Sequence, residues 1–410
     1  MSFRVPSRRL PQASRRSRHQ TRREKGLRIE SLENRSMMAA YVWEGDVSSD
    51  WENPGNWTLN SGVPDDTTDT VTINTGTPFS AQMTVARTIG SLAGTGNLDL
   101  QSFRLTTNTA ANSNFSGEIS GAGGAITKQG TGTLTLSGTN PNTYTGQTIV
   151  NGGVLLLSKT AGVDAIGAGG FNILTTIGSQ GVVRLGAANQ IPDSAPIRVD
   201  AAISSGNANF DLANLSETVG AIFMRTITSG GTPPGANVTI GTGTLTLNGD
   251  VTFEYDRNST GNLSTLIAIT GTGVGTLNLN GTRTFTTNLG PAMTAANFPG
   301  SDASISAIVS NGTLVKQGVR GLILTSPAGN TYAGGTVINN GFVQVTADGQ
   351  LGAAPGAPTP GNLVLNGGSL LANASFTLNA NRAVVLGPTS GTGTGGLGAN
   401  SGFILTYDGI

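Results

Sequence analysis

The chain repeats itself. Ile126-Thr127-Lys128-Gln129-Gly130 returns as Leu314-Val315-Lys316-Gln317-Gly318, 188 residues later. In the same register Leu134 and Leu136 fall on Leu322 and Leu324, and Asn142-Thr143-Tyr144 on Asn330-Thr331-Tyr332. Gly146, Thr148, Asn151 and Gly153 fall on Gly334, Thr336, Asn339 and Gly341. Composition bias does not place Lys, Tyr and Asn in step over this distance. A true repeat constrains architecture before any local propensity does.

The unit is built of strands and turns. Thr133-Leu134-Thr135-Leu136 alternates with a period of two, Gly138 to Asn142 supplies turn residues, and Asn151-Gly152-Gly153 marks a second turn before Val154-Leu155-Leu156-Leu157. Looser copies occur at Gly243–Gly249, Gly275–Gly281 and Leu363–Gly368. No segment carries a sustained helical period; the stretch from Asn214 to Met224 comes nearest. Short strands with one apolar face cannot bury that face alone, but stacked as rungs they share a continuous core. The pattern predicts an all-β right-handed parallel β-helix, with Gly where φ must be positive and Asn stacking on Asn at the corners. At roughly 22 residues per rung it predicts about 15 to 17 rungs. A β-sandwich array is the rival, and the longer strands and distinct hairpins it needs are missing.

Composition narrows the chemistry. Of 410 residues 61 are Gly, only 11% are charged, none is Cys and one is His. Disulfides, thiolate nucleophiles and Cys-ligated metals are thereby excluded, and histidine chemistry is confined to His19. The formal net charge of zero is a cancellation: residues 1–40 hold eleven Lys/Arg against three Glu, and the remainder holds twelve against twenty acids. The segment 1–40 is too polar to form a core and reads as a disordered basic leader. Residues 41–115 then read as an N-terminal cap with the first rungs, and 116–410 as the β-helical repeat region. An acidic body without a basic or aromatic reading face argues against nucleic acid as a partner, and no run is long and apolar enough to span a membrane as a helix.

The leader closes on Leu27-Arg28-Ile29-Glu30-Ser31-Leu32-Glu33-Asn34-Arg35-Ser36-Met37-Met38. This resembles the Leu-Glu-x-Arg-x-Leu-Leu export motif of planctomycete surface proteins, with Asn34 in place of Pro and Met37-Met38 in place of the Leu pair. Segments 126–157 and 314–345 resemble the autotransporter-associated β-strand repeat, with its Lys-x-Gly, Leu-x-Leu and Asn-x-Tyr-x-Gly-x-Thr series. Residues Gly178 to Gly220 look like the spacer between such repeats. The resemblance implies a secreted or cell-surface β-helical scaffold whose repeats bring no catalytic residues.

Some residues invite a sharper reading. Trp43, Trp51 and Trp57 lie in one stretch, followed by Pro64, Asp65, Asp66 and Asp69. The stretch resembles the entry segment that precedes such repeats; its tryptophans close the first rung or, if their faces are exposed, form a glycan-binding platform. Asp46, Asp50, Glu52, Asp65, Asp66 and Asp69 could offer calcium hard oxygens, but calcium-loop signatures are absent. Glu254 and Asp256 alternate onto one side of a strand, about 7 Å apart, a spacing that paired catalytic carboxylates also use. The run Gly391–Gly396 lacks the helix a phosphate loop needs. The last residues, Gly402–Ile410, look like the lead-in to another repeat, which predicts a truncated member or end-to-end association at an open C-terminal rung. The reading is therefore a non-enzymatic exported scaffold for adhesion or spacing, with no cofactor or metal and with surface polysaccharide or other surface proteins as partners. A carbohydrate-binding or polysaccharide-degrading β-helix is the alternative.

Overall fold

The computed structural model describes residues 39–58, 62–175, 180–202, 206–228, 235–257, 267–290, 303–388 and 394–409. Residues 1–38 of the basic leader, with the Leu27–Met38 export motif and His19, and the first half of the 391–396 glycine run lie outside them.

The chain coils as a parallel β-helix. One 15-stranded sheet runs from Ala40–Trp43 through Thr70–Ile73, Ser91–Gly94 and Thr133–Gly138 to Gly396–Ala399. A second 15-stranded sheet carries the alternate strands, among them Ala125–Gln129, Thr148–Val150, Ile222–Thr228 and Ile308–Gln317. Successive strands pair in parallel, rung on rung, and the first sheet passes without a break from residue 94 to 115 and on to 136. Among the described residues its 15 strands agree with the expected rung count. Rung length is less regular: Leu134 pairs with Leu155 after 21 residues, whereas Ala268 pairs with Ser304 after 36. The 214–224 stretch is extended, not helical: Glu217–Val219 and Ile222–Thr228 are strands, because Val219, Ile222 and Met224 each face the core.

The core is a set of columns. Leu134, Leu155, Val183, Phe210, Val238, Ile269, Ile305 and Leu324 lie directly above one another in register. All eight are at most 1% exposed. Period-two alternation turns their neighbours outward, so Thr133, Thr135 and Asn209 face water. At the corners Asn stacks on Asn: Asn280 Nδ2 donates to Asn248 Oδ1 at 2.9 Å, and Asn400 Nδ2 to Asn373 Oδ1 at 2.7 Å. The glycine of Lys-x-Gly is required. Gly130 and Gly318 sit at φ +71° and +79°, and a Cβ there would collide with Thr109 O or Thr287 O of the rung before.

The tryptophans begin this core. Trp43, Trp51 and Trp57 are 0–1% exposed, with Trp57 edge-on to Trp43 at 4.9 Å and to Trp51 at 4.7 Å. Their indole N–H groups donate to Phe79 O, Pro64 O and Trp51 O. Buried Asn56 holds the loop beneath them, accepting from Val47 N and Ser48 N and donating to Asp50 O.

Candidate functional site

Among the described residues the polar side chains of the repeat motif form an organised set, and its lysine, asparagine and tyrosine are buried. On Ala125–Gln129, Ile126 and Lys128 share a side, so the alternation that buries Ile126 carries Lys128 into the core. Lys128 is in register with Val150, Ile173 is in register with Val150, and Val199 with Ile173. Its Nζ donates to Gln129 O at 2.8 Å, Gly130 O at 3.0 Å and Gly152 O at 3.1 Å. Lys316 reproduces the set, donating to Gln317 O at 2.6 Å, Gly318 O at 2.9 Å and Asn340 O at 3.2 Å. Burial lowers the Lys128 ammonium to about 8. Each lysine therefore holds a turn from inside by three charge-assisted hydrogen bonds.

The rest of the motif ties rungs together. Asn142 Oδ1 accepts from Ile119 N at 2.9 Å in the rung before, and its Nδ2 donates to Ala165 O at 2.7 Å in the rung after. Asn330 does the same with Val309 N and Gln350 O, at 2.8 and 2.6 Å. The Tyr144 hydroxyl is 2.6 Å from Thr148 Oγ1, and Tyr332 is 2.8 Å from Thr336 Oγ1. Burial pushes both phenols up to about 12, so they stay neutral.

Two further interior groups escaped the sequence reading. Lys159 Nζ donates to Gly117 O and Ser137 O, and burial lowers it to about 8, partly offset by Glu118. Glu217 is 1% exposed and burial raises its carboxyl to about 7, although Gln190 N and Thr218 N donate to it at 2.7 and 3.0 Å. Lys159 N in turn donates to Gln190 Oε1 at 2.7 Å, so the side chain and the backbone N–H of Gln190 together link three rungs. Parity was the available signal: each of these residues falls on the apolar side of its strand's alternation.

The candidate chemistry of the outer surface is differently disposed. Glu254 faces outward at the end of a charge ladder on three paired strands, Asp200–Arg225–Glu254. Arg225 Nε is 3.4 Å from Asp200 Oδ1, and its Nη1 is 3.9 Å from Glu254 Oε1. Arg198 also pairs with Asp200 and lies 4.0 Å over the Phe223 ring. The Asp256 side chain lies outside the described atoms. Near the N-terminus Glu52 and Asp65 are ion-paired with Arg87, and Asp69 accepts from Asp65 N and Asp66 N. Asp50 accepts from Glu52 N and Thr84 Oγ1. These acids are spent on loop geometry, and among the described residues no group of three or more ligating side chains converges on a metal position. The three tryptophans present no face for a pyranose to stack on, so the platform reading does not fit this structure. Among the described residues no helix is long and apolar enough to cross a membrane.

Fold and motif together define a parallel β-helical repeat protein whose motif residues act on the solenoid itself. The family model of the passenger-associated-transport-repeat matches residues 126–157 and 314–345, the two segments that hold these lysine, asparagine and tyrosine sets. No curated protein and no solved structure matches the chain significantly.

Proposed function

We propose that this chain is an exported, non-enzymatic β-helical scaffold of passenger type, secreted or held at the cell surface, where it acts in adhesion or as a spacer. The observation that carries the reading is the duplicated passenger-type repeat whose lysine and asparagine side chains, Lys128, Asn142, Lys316 and Asn330, bond to neighbouring rungs. A repeat that invests its conserved-in-register side chains in stacking builds length and surface. It leaves partner choice to outward residues such as Arg198, Phe223 and Arg225, which face surface polysaccharide or other surface proteins. The Leu27–Met38 resemblance supports export by a planctomycete-type route.

N-terminal sequencing of protein recovered from its own cells, combined with protease treatment of intact cells, tests this. Export predicts a mature terminus near Ala40 and digestion without lysis. An intact leader together with digestion only after lysis would overturn it.

A further inference from the structure

Six Asn-Gly dipeptides occur in the chain, at Asn151, Asn248, Asn280, Asn311, Asn340 and Asn366. Glycine after asparagine leaves the peptide nitrogen unhindered, so the nitrogen can attack the side-chain carbonyl and form a cyclic imide. The solenoid restrains most of them. Asn248 Nδ2 donates to Asp193 O, Asn280 Nδ2 to Asn248 Oδ1, Asn311 Nδ2 to Asn278 Oδ1 and Asn366 Nδ2 to Asn339 Oδ1. Asn151 keeps its Oδ1 shielded from solvent.

Asn340 is arranged differently. Its side chain folds back on its own backbone, and Gly341 N donates to Asn340 Oδ1 at 2.7 Å. The side-chain carbonyl carbon lies one bond, about 1.23 Å, behind that oxygen. The nitrogen is therefore close to the roughly 3–3.5 Å separation of a near-attack conformer. Lys316 stands beside both groups: its Nζ is 3.2 Å from Asn340 O and 3.1 Å from the position a Cβ on Gly341 would take. A fixed cation there favours loss of the Gly341 amide proton and stabilises the anionic tetrahedral intermediate. Asn340 is also exposed, so water reaches the imide. The first repeat copy keeps the lysine, with Lys128 Nζ 3.1 Å from Gly152 O, but has Gly152 where Asn340 stands, and its own asparagine, Asn151, lies one residue earlier with its Oδ1 shielded from solvent.

We propose that Asn340-Gly341 is a self-modification site, at which Lys316 promotes deamidation and then pairs with the carboxylate produced. Gly341 N bonds to Asn340 Cγ and loses its proton, and the Cγ–Nδ2 bond breaks with release of ammonia. Water then opens the imide to an aspartyl or isoaspartyl residue. No oxidant or reductant is needed. The product sets a negative charge against an interior ammonium that the carbonyls of Gln317, Gly318 and Asn340 otherwise hold.

The test incubates the full chain at about pH 7, where an interior ammonium of this kind stays charged, and follows all six sites by peptide mass spectrometry, with fragmentation that separates aspartyl from isoaspartyl. In folded protein Asn340 converts at least about five-fold faster than any other site, and in the guanidinium-unfolded chain the six rates converge to within about two-fold. Equal rates in the folded state, or the same ranking in both states, overturns the proposal. Lys316→Met slows conversion at Asn340 at least about three-fold in folded protein and leaves the unfolded rate alone. Asn340→Asp slows native-state hydrogen exchange on Thr336–Ile338 and Phe342–Val345 relative to wild type; no slowing overturns the pairing with Lys316.

Discussion

Replacing Lys128 by Met tests whether the interior lysine is a clamp or a burden. Met fills a similar volume, so no cavity term enters. The lysine donates three hydrogen bonds, at 2.8, 3.0 and 3.1 Å. Bonds from a charged donor contribute about 1.5–3 kcal/mol each, or roughly 5 kcal/mol at the low end for three. Against this stands desolvation: the fall of the ammonium from 10.5 to about 8 costs roughly 3 kcal/mol at about 1.4 kcal/mol per pH unit. The expected loss is about 2–4 kcal/mol. Solenoids need not unfold in one step, so the readout must be local. Native-state hydrogen exchange on Thr133–Gly138 and Gly153–Lys159 should quicken about thirty-fold to a thousand-fold, with Gly321–Leu324 as the internal control. The sign with pH is also set. A folded value below the unfolded one lowers stability as pH falls from 10.5 through 8, so the wild type should gain on the variant across that window as pH rises. Unchanged or slower exchange in Lys128→Met would refute the reasoning, because a well-packed apolar side chain would then outperform the clamp.

Three more perturbations are specified by the same geometry. Tyr144→Phe strands the buried Thr148 hydroxyl and should cost about 1–3 kcal/mol, with Tyr332→Phe matching it within about 0.5 kcal/mol in native-state hydrogen exchange on Thr148–Val150 and Thr336–Ile338. Glu217, raised from 4.5 to about 7, contributes stability that is full below pH 4.5 and lost as pH rises through 7; exchange near Glu217–Val219 should be slower at pH 5 than at pH 8 after correction for intrinsic rates, and Glu217→Gln should remove the difference. Trp57→Ala empties the centre of the aromatic cluster and should cost about 3–5 kcal/mol, seen as lost protection on Ala40–Trp43 and Thr70–Ile73; a loss under about 1 kcal/mol would mean the cap is dispensable.

What could be read without coordinates was whatever depends on periodicity. Thr133–Leu136 and its copies alternate with a period of two, and a period of two decides which side of a strand is apolar whatever lies above it. The repeat at 188 residues, the corner glycines and the stacking asparagines all follow from the need of like rungs to superpose. Even the fate of Lys128 was encoded in its parity with Ile126, although a charged side chain on that side looks improbable until its partners are known. Those partners come from other rungs. Gly152 O reaches Lys128, Ala165 O reaches Asn142, and Arg225 takes up Glu254, all through a superposition whose 21- to 36-residue spacing varies with loop length. The burial of the three tryptophans is of the same kind: Phe79 O and Pro64 O satisfy two of their indoles from loops that no local pattern positions. The sequence by itself determined strand polarity and repeat, because these are properties of neighbours along the chain. Only the tertiary structure decided which charges are interior and which tryptophans are out of reach, because rung-to-rung register sets which distant groups meet.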